Sequence, residues 1–278
     1  MKKSVFLSAL LLVFLTSCAQ EGLKWRVVPM DGSRTGVKAC SADNVCEALG
    51  TIDDSVYVSP SGDIFRKGSA TYSTAAALIA SQPRMAHVKK VIAQSTREMS
   101  AGERPESPLG NWYIDLLMEE TSRLTGKTVH FGVVNFGGIR VDMPKGDVFL
   151  DDILSMFPFK NKVCYLELEG RDIRAHLEQF AEKTWQVVGG ARCVVRDGRL
   201  ESVEIDGAPL DDDRVYGVAT ISFLLNGGDD IFMARNAKNM IILPQYIIDV
   251  VLPYVEKLTA EGKPIEYETD GRIKIIKQ

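Results

Sequence analysis

Between Asn135 and Asn161 the chain reads NFGGIRVDMPKGDVFLDDILSMFPFKN, and its first six residues hold an amide, two adjacent glycines and an arginine. The Asn135 side chain has both donor and acceptor, enough to pair with a base edge or a hydroxyl. Gly137 and Gly138 permit positive φ and let a ligand approach the backbone, because no Cβ intervenes. Arg140 carries a planar fork suited to phosphate or carboxylate. A second glycine turn, Ser222-Phe223-Leu224-Leu225-Asn226-Gly227-Gly228-Asp229-Asp230, adds a phenylalanine and two acids. With Phe159, the two turns offer a pair of aromatic faces able to clamp a flat base. Stacking of that kind contributes about 1–3 kcal/mol per base and tolerates different bases. Asp229 is suited to accept from vicinal ribose hydroxyls, as acids do in dinucleotide sites. Taken singly, each feature also fits a plainer role: a glycine turn beside a solvated arginine, or phenylalanines in a core.

Hydrolytic machinery is not visible beside these binding groups. There is no GxSxG elbow, no HExxH and no P-loop. A two-metal phosphoesterase centre gathers several His and Asp around ions about 3.5–4 Å apart. This chain has three histidines, His87, His130 and His176, scattered and without a partner acid at ligand spacing. His176 lies in a helical run and is expected at the surface. Asp211-Asp212-Asp213 reads as a solvated turn, since consecutive carboxylates seldom converge on one ion. No metal site and no cofactor are expected in this chain.

The elements that must hold these groups follow from periodicity. His130–Val134 reads as a buried strand that ends at Asn135, and Tyr216–Ile221 as a strand that ends at the second turn. Ser107-Pro108 opens a helix with apolar spacing through Leu109, Trp112, Tyr113, Leu116, Leu117 and Leu124, closed by Gly126. Its aromatics are assigned to the core. Val163–Glu169 alternates as a strand, Arg171–Lys183 is a helix, and Arg196-Asp197-Gly198-Arg199 joins Ala191–Val195 to Leu200–Ile205 as a hairpin. Tyr246–Leu258 is an amphipathic helix kinked at Pro253, and Arg272–Ile276 a closing strand. Strand pairs and helices alternate irregularly, which argues for an α+β fold with a mixed sheet and packed helices. Upstream, Trp25–Val28 and Val56–Val58 read as edge strands, and Ala75–Ile79 with Val88–Ile92 begin the apolar core.

The 278 residues, 45% hydrophobic and 25% charged, suit one large globular domain or two small ones. Met1-Lys2-Lys3, the short apolar run Val5–Leu15 and Leu15-Thr16-Ser17-Cys18 together look like a bacterial lipoprotein signal, with residues 1–17 removed and Cys18 lipidated. A signal peptide with an incidental cysteine shares the pattern. Cleavage there leaves 31 basic against 37 acidic residues, a net charge of −6. Such a balance gives no general attraction to nucleic acid, so any bound anion must be held by local cations. Acylation would tether a soluble protein to the cell envelope, periplasmic or outer-membrane facing, without a spanning segment. Cys40 and Cys46 either close a small disulfide loop or stay free; Cys164 and Cys193 are expected buried.

At this point NFGGIR (135–140), GDVFLDDILSMFPFKN (146–161), LEGRDI (168–173) and VATISFLLNGGDD (218–230) resemble the C-terminal, substrate-binding domain of bacterial and animal 5′-nucleotidases. The resemblance covers roughly residues 75–276 in order, which implies three segments: signal peptide 1–17, an N-terminal extension 18–74 without an assigned role, and the domain 75–278. It implies Asn135 and Arg140 as nucleoside and phosphate contacts, with the backbone of Gly137 and Gly138 close by. It makes Phe159 and Phe223 the stacking pair and Asp229, in the turn of Gly227 and Gly228, the ribose contact. Arg104 is the nearest match to the family's upstream arginine. The chain departs from the pattern at Phe136, inside the family's Gly-Gly-Gly run, and at Asp230, where glycine is usual. It also lacks the Asp-x-His and Gly-Asn-His-Asp/Glu motifs of the family's metallophosphatase domain, for which residues 19–74 are too few. The expectation is therefore the nucleotide-binding half of a split 5′-nucleotidase, a hydrolase whose divalent metal pair sits in a separate phosphatase chain. The rival expectation is a non-catalytic nucleoside- or nucleotide-binding envelope lipoprotein.

Overall fold

The computed structural model describes residues 44–277. The signal peptide, Cys18, Cys40 with its pairing to Cys46, and the strand expected at Trp25–Val28 lie outside the described residues. The chain divides into two compact units, one up to Ala80 and one from Ser81 onward.

In the first unit a short helix, α1 (Val45–Leu49), precedes three antiparallel strands, β1 (Thr51–Ile52), β2 (Val56–Val58) and β3 (Ile64–Arg66). Val56–Val58 is the central strand of this sheet, not an edge, because both short neighbours pair with it. Helix α2 (Ala70–Met85) buries only Ala75, and Leu78 stays exposed, so Ala75–Ile79 does not begin the core as the sequence suggested, whereas Val88–Ile92, the other segment expected there, buries Val88 and Ile92.

The second unit is built around a five-stranded mixed sheet of β5 (Phe131–Val134), β7 (Lys162–Glu169), β8 (Val187–Gly189), β12 (Val215–Ile221) and β13 (Asn239–Tyr246), in the order β13-β7-β12-β5-β8. Strands β12 and β5 run parallel; the other neighbours are antiparallel. A second sheet, in the order β11-β10-β9-β14, contains the expected hairpin of β9 (Ala191–Arg196) and β10 (Arg199–Ile205), with β11 (Ala208–Pro209) and β14 (Ile273–Ile276) at its edges. Asp197 and Gly198 both take positive φ, as a two-residue hairpin turn requires. Strands β4 (Val91–Ser95) and β6 (Gly146–Phe149) form a separate antiparallel pair. Mixed sheets with packed helices are the α+β class read from the sequence.

Helix α3 (Pro108–Thr125) supplies most of one face of the core. Ser107 caps it by accepting the Gly110 N–H at 2.9 Å, and Gly126 ends it in the left-handed region. A cap of this kind contributes about 1 kcal/mol. Leu109, Ile114 and Leu117 are fully buried, and Trp112 and Tyr113 nearly so, which puts the helix's aromatics in the core as expected. Gly132 on β5 lets α3 press close: a Cβ there would meet Ile114 Cδ1 and Met118 Cγ at 2.8 Å. Helices α4 (Leu150–Met156), α5 (Gly170–Glu182) and α6 (Ile247–Ala260) complete the unit, α6 containing Pro253. Cys164 and Cys193 are buried, and burial pushes both thiols up to about 12. Asp212 and Asp213 pair with Arg174 and Arg171, which explains the triple-aspartate turn without an ion.

Candidate functional site

Strand direction brings the chemistry together. Because β5 and β12 are parallel neighbours, their C-terminal ends leave the sheet at the same edge. Strand β7 is antiparallel to β12, with Val163 opposite Ile221, so the start of β7 lies at that edge too. Three segments therefore converge: Asn135–Arg140 after β5, Ser222–Asp230 after β12, and Phe159–Asn161 before β7. Ser222 Oγ accepts the Lys162 N–H at 3.0 Å and ties two of them directly.

They enclose a cavity of about 270 Å³. Phe159 and Phe223 both line it, and they stay 47% and 43% exposed, unlike phenylalanines spent on a core. Asn135, Gly137, Gly138, Arg140 and Asp229 complete the lining together with Asn161. Sequence reasoning gave Asn161 no role; its only signal is an amide two residues after Phe159. A larger cavity of about 470 Å³ is walled by the ion pairs of Arg272 and holds none of these aromatics, so volume alone does not mark the site.

Asn135 is almost fully buried and donates its amide to Asp229 Oδ2 at 2.7 Å, while its Oδ1 finds no partner. This bond joins the two glycine turns. Asp229 is held at φ 50, the left-handed region that a short polar side chain tolerates. Arg140 donates to the Gly137 carbonyl at 3.1 Å, and its guanidinium carbon lies 5.9 Å from the Phe159 ring centre. No carboxylate pairs with it among the described residues, so its charge remains available to an anion.

The glycines act differently from the expectation. Gly137 and Gly138 sit in a 3-10 turn, Phe136–Gly138, and take no positive φ. Closeness, not backbone freedom, demands Gly138, where a Cβ would come within 2.9 Å of Asn135 Oδ1; at Gly137 a Cβ would meet Asn135 Nδ2 at an ordinary 3.4 Å. Gly227 does use positive φ, at 112°. Gly228 makes room for the clamp, since a Cβ there would lie 2.2 Å from the Phe223 carbonyl oxygen and 2.6 Å from its ring. Neither Gly227 nor Gly228 lines the cavity itself.

Arg104 is placed elsewhere than the Phe159–Phe223 cavity. Its guanidinium carbon lies 4.1 Å from the ring centre of Phe136, and it lines a neighbouring cavity of about 370 Å³. The Phe136 ring takes it there, by the attraction of a cation for an aromatic face. Asp230 pairs with Lys183, whose ammonium donates to it and holds its carboxyl below the usual range. His176 is half-buried, not superficial, and burial lowers its pKa. His130 Nδ1 accepts the Gly217 N–H at 2.9 Å, a structural bond at the start of β5. Among the described residues, no three His, Cys, Asp or Glu side chains gather to hold a metal ion.

The family described as "5′-nucleotidase, C-terminal domain" matches residues 84–236, more than half of the chain. The apyrase of Tabanus yao is 27% identical over 194 residues, covering 60% of this chain and 34% of the apyrase. Protein UshA of Escherichia coli (strain K12) is 26% identical over 148 residues, covering 51% of this chain and 27% of UshA. The crystal structure of a 5′-nucleotidase precursor from Thermus thermophilus superposes with a TM-score of 0.65 at 26% identity, covering 80% of this chain and 48% of that one. The chain thus spans about half, or less, of the length of these proteins.

Proposed function

Since the chain belongs to the 5′-nucleotidase C-terminal domain family, we propose that it is the nucleotide-binding half of a split 5′-nucleotidase and takes part in hydrolysis of nucleoside 5′-monophosphates. The observation that carries this reading is the pair of half-exposed rings, Phe159 and Phe223, lining one cavity with Arg140, Asn161 and Asp229. A flat base enters between the rings. Asn161 offers an amide at the cavity wall. Asp229, oriented by Asn135, accepts from the ribose hydroxyls, and Arg140 meets the 5′-phosphate. The chain's own groups bind and orient; a two-metal phosphatase on a separate chain supplies the ions that polarise the ester. Holding the phosphate in one orientation toward those ions lowers the barrier by removing rotational freedom before the chemical step. In this reading Cys18 carries the lipid that keeps the chain at the envelope.

AMP hydrolysis with divalent metal tests it. The assay uses this chain alone, a two-metal phosphatase chain of the same organism alone, and the two mixed. The mixture is expected to exceed the sum of the parts by at least tenfold. Strong metal-dependent hydrolysis by this chain alone sinks the split arrangement. Tight nucleoside binding with no gain on mixing favours a binding lipoprotein instead.

A further inference from the structure

The second cavity shares a wall with the first. Gly137 and Asp229 line both the Phe159–Phe223 cavity and the neighbouring one of about 370 Å³. Gly137 has no side chain to close that wall. Arg104, Lys183, Thr184 and Gln186 also line the second cavity, beside the apolar Phe180 and Ile231. Lys183 is committed to Asp230, and Gln186 accepts the Phe136 N–H through Oε1, which leaves its amide donor uncommitted. Arg104 has no carboxylate partner among the described residues; only the Phe136 ring holds it. A glycine at position 136 could not seat a guanidinium in this way. The cavity is therefore rich in donors and carries one unpaired, pre-seated cation.

We propose that this cavity receives a second phosphate, borne on the 3′-oxygen of the ribose, and that Arg104 is the residue that selects for it. The proposal rests on the nucleotide-binding reading of the Phe159–Phe223 cavity. If Asp229 meets the ribose hydroxyls, a group attached to one of those oxygens leads past Gly137 into the donor-lined space. The remaining hydroxyl still donates to Asp229. A planar guanidinium meets two phosphate oxygens at once, and Thr184 and Gln186 add neutral donors. The carboxylate of Asp229 repels the added phosphate, so the balance turns on Arg104.

Calorimetric titration of the full chain with AMP and with adenosine 3′,5′-bisphosphate tests this. The bisphosphate is expected to bind at least fivefold tighter than AMP. Arg104→Ala is expected to bring that ratio to one or below, as repulsion from Asp229 then goes unopposed. Phe136→Leu keeps an apolar side chain in the buried position but removes the aromatic seat, and is expected to lower the ratio in the same direction. A parent ratio of one or less, with AMP binding measurable, overturns the proposal and leaves the nucleotide-binding reading standing. A ratio unchanged in Arg104→Ala also overturns it. If neither AMP nor adenosine binds, the nucleotide-binding reading fails and the proposal fails with it.

Discussion

Truncating the two rings, Phe159→Ala and Phe223→Ala, is the most direct test of the clamp. The rings keep 47% and 43% of their surface exposed, so about half of each is free for a ligand to cover. Full burial of a phenylalanine contributes about 1.5–3 kcal/mol, so covering the free half contributes roughly 0.7–1.5 kcal/mol. Truncations at base-stacking aromatics cost about 1–3 kcal/mol, which brackets the same range from above. Each single variant is therefore expected to weaken adenosine binding by about 1–2 kcal/mol, roughly five- to thirtyfold. The packed half of each ring contributes about 1 kcal/mol to folding, so the midpoint of thermal unfolding falls by only about 2–4 °C and the variants stay folded. Calorimetric titration with adenosine, beside a melting curve, separates the two effects. Ribose 5-phosphate, which has no base to stack, should lose little affinity in either variant. Because both rings touch one base, the double variant should lose less than the sum of the singles. Parent-like adenosine affinity in both variants would refute the clamp outright.

Three other outcomes are expected. Arg140→Ala should weaken AMP binding more than adenosine binding in parallel titrations if its unpaired guanidinium, at the cavity wall, takes the phosphate as proposed; equal losses would remove it from that role. Gly228→Ala should impair nucleoside binding as severely as Phe223→Ala, since the new Cβ displaces the Phe223 backbone and ring; retained binding would show that the turn yields. Arg272→Ala should destabilise the chain by roughly 2–4 kcal/mol in urea titrations, because the buried guanidinium satisfies Asp115 and Asp270 together. Burial works to raise the Asp270 pKa, but the bonds from Arg272 prevail and depress it. This contribution is present above the unfolded carboxylate value and is lost as pH falls through the lowered one. In Arg272→Ala the loss of stability on acidification should shrink accordingly; an unchanged acid limb in the urea titrations would contradict the assignment.

The sequence by itself determined the local elements of the second unit and most of the residues that bear chemistry. Ser107, Pro108 and Gly126 bracket a helix because each satisfies or interrupts backbone hydrogen bonding within a few residues. Asp197-Gly198 makes a hairpin for a similarly local reason. Motif order was enough to assign the family and the α+β class, and it singled out Phe159 and Phe223, which the fold brings to one cavity. Tertiary structure decided what depends on strands distant in sequence. The parallel register of β5 and β12 is what sets two glycine turns side by side, and only then does Asn135 reach Asp229. Gly138 and Gly228 look like residues chosen for backbone freedom, yet they are required by neighbours 2.9 Å and 2.2 Å from a missing Cβ. Arg104 could not be placed from its position in the chain, because the ring of Phe136, distant in sequence, seats it beside a neighbouring cavity and not the one that Phe159 and Phe223 line. Local hydrogen bonding is written in adjacent residues, whereas close approach and charge placement depend on which surfaces the fold presses together.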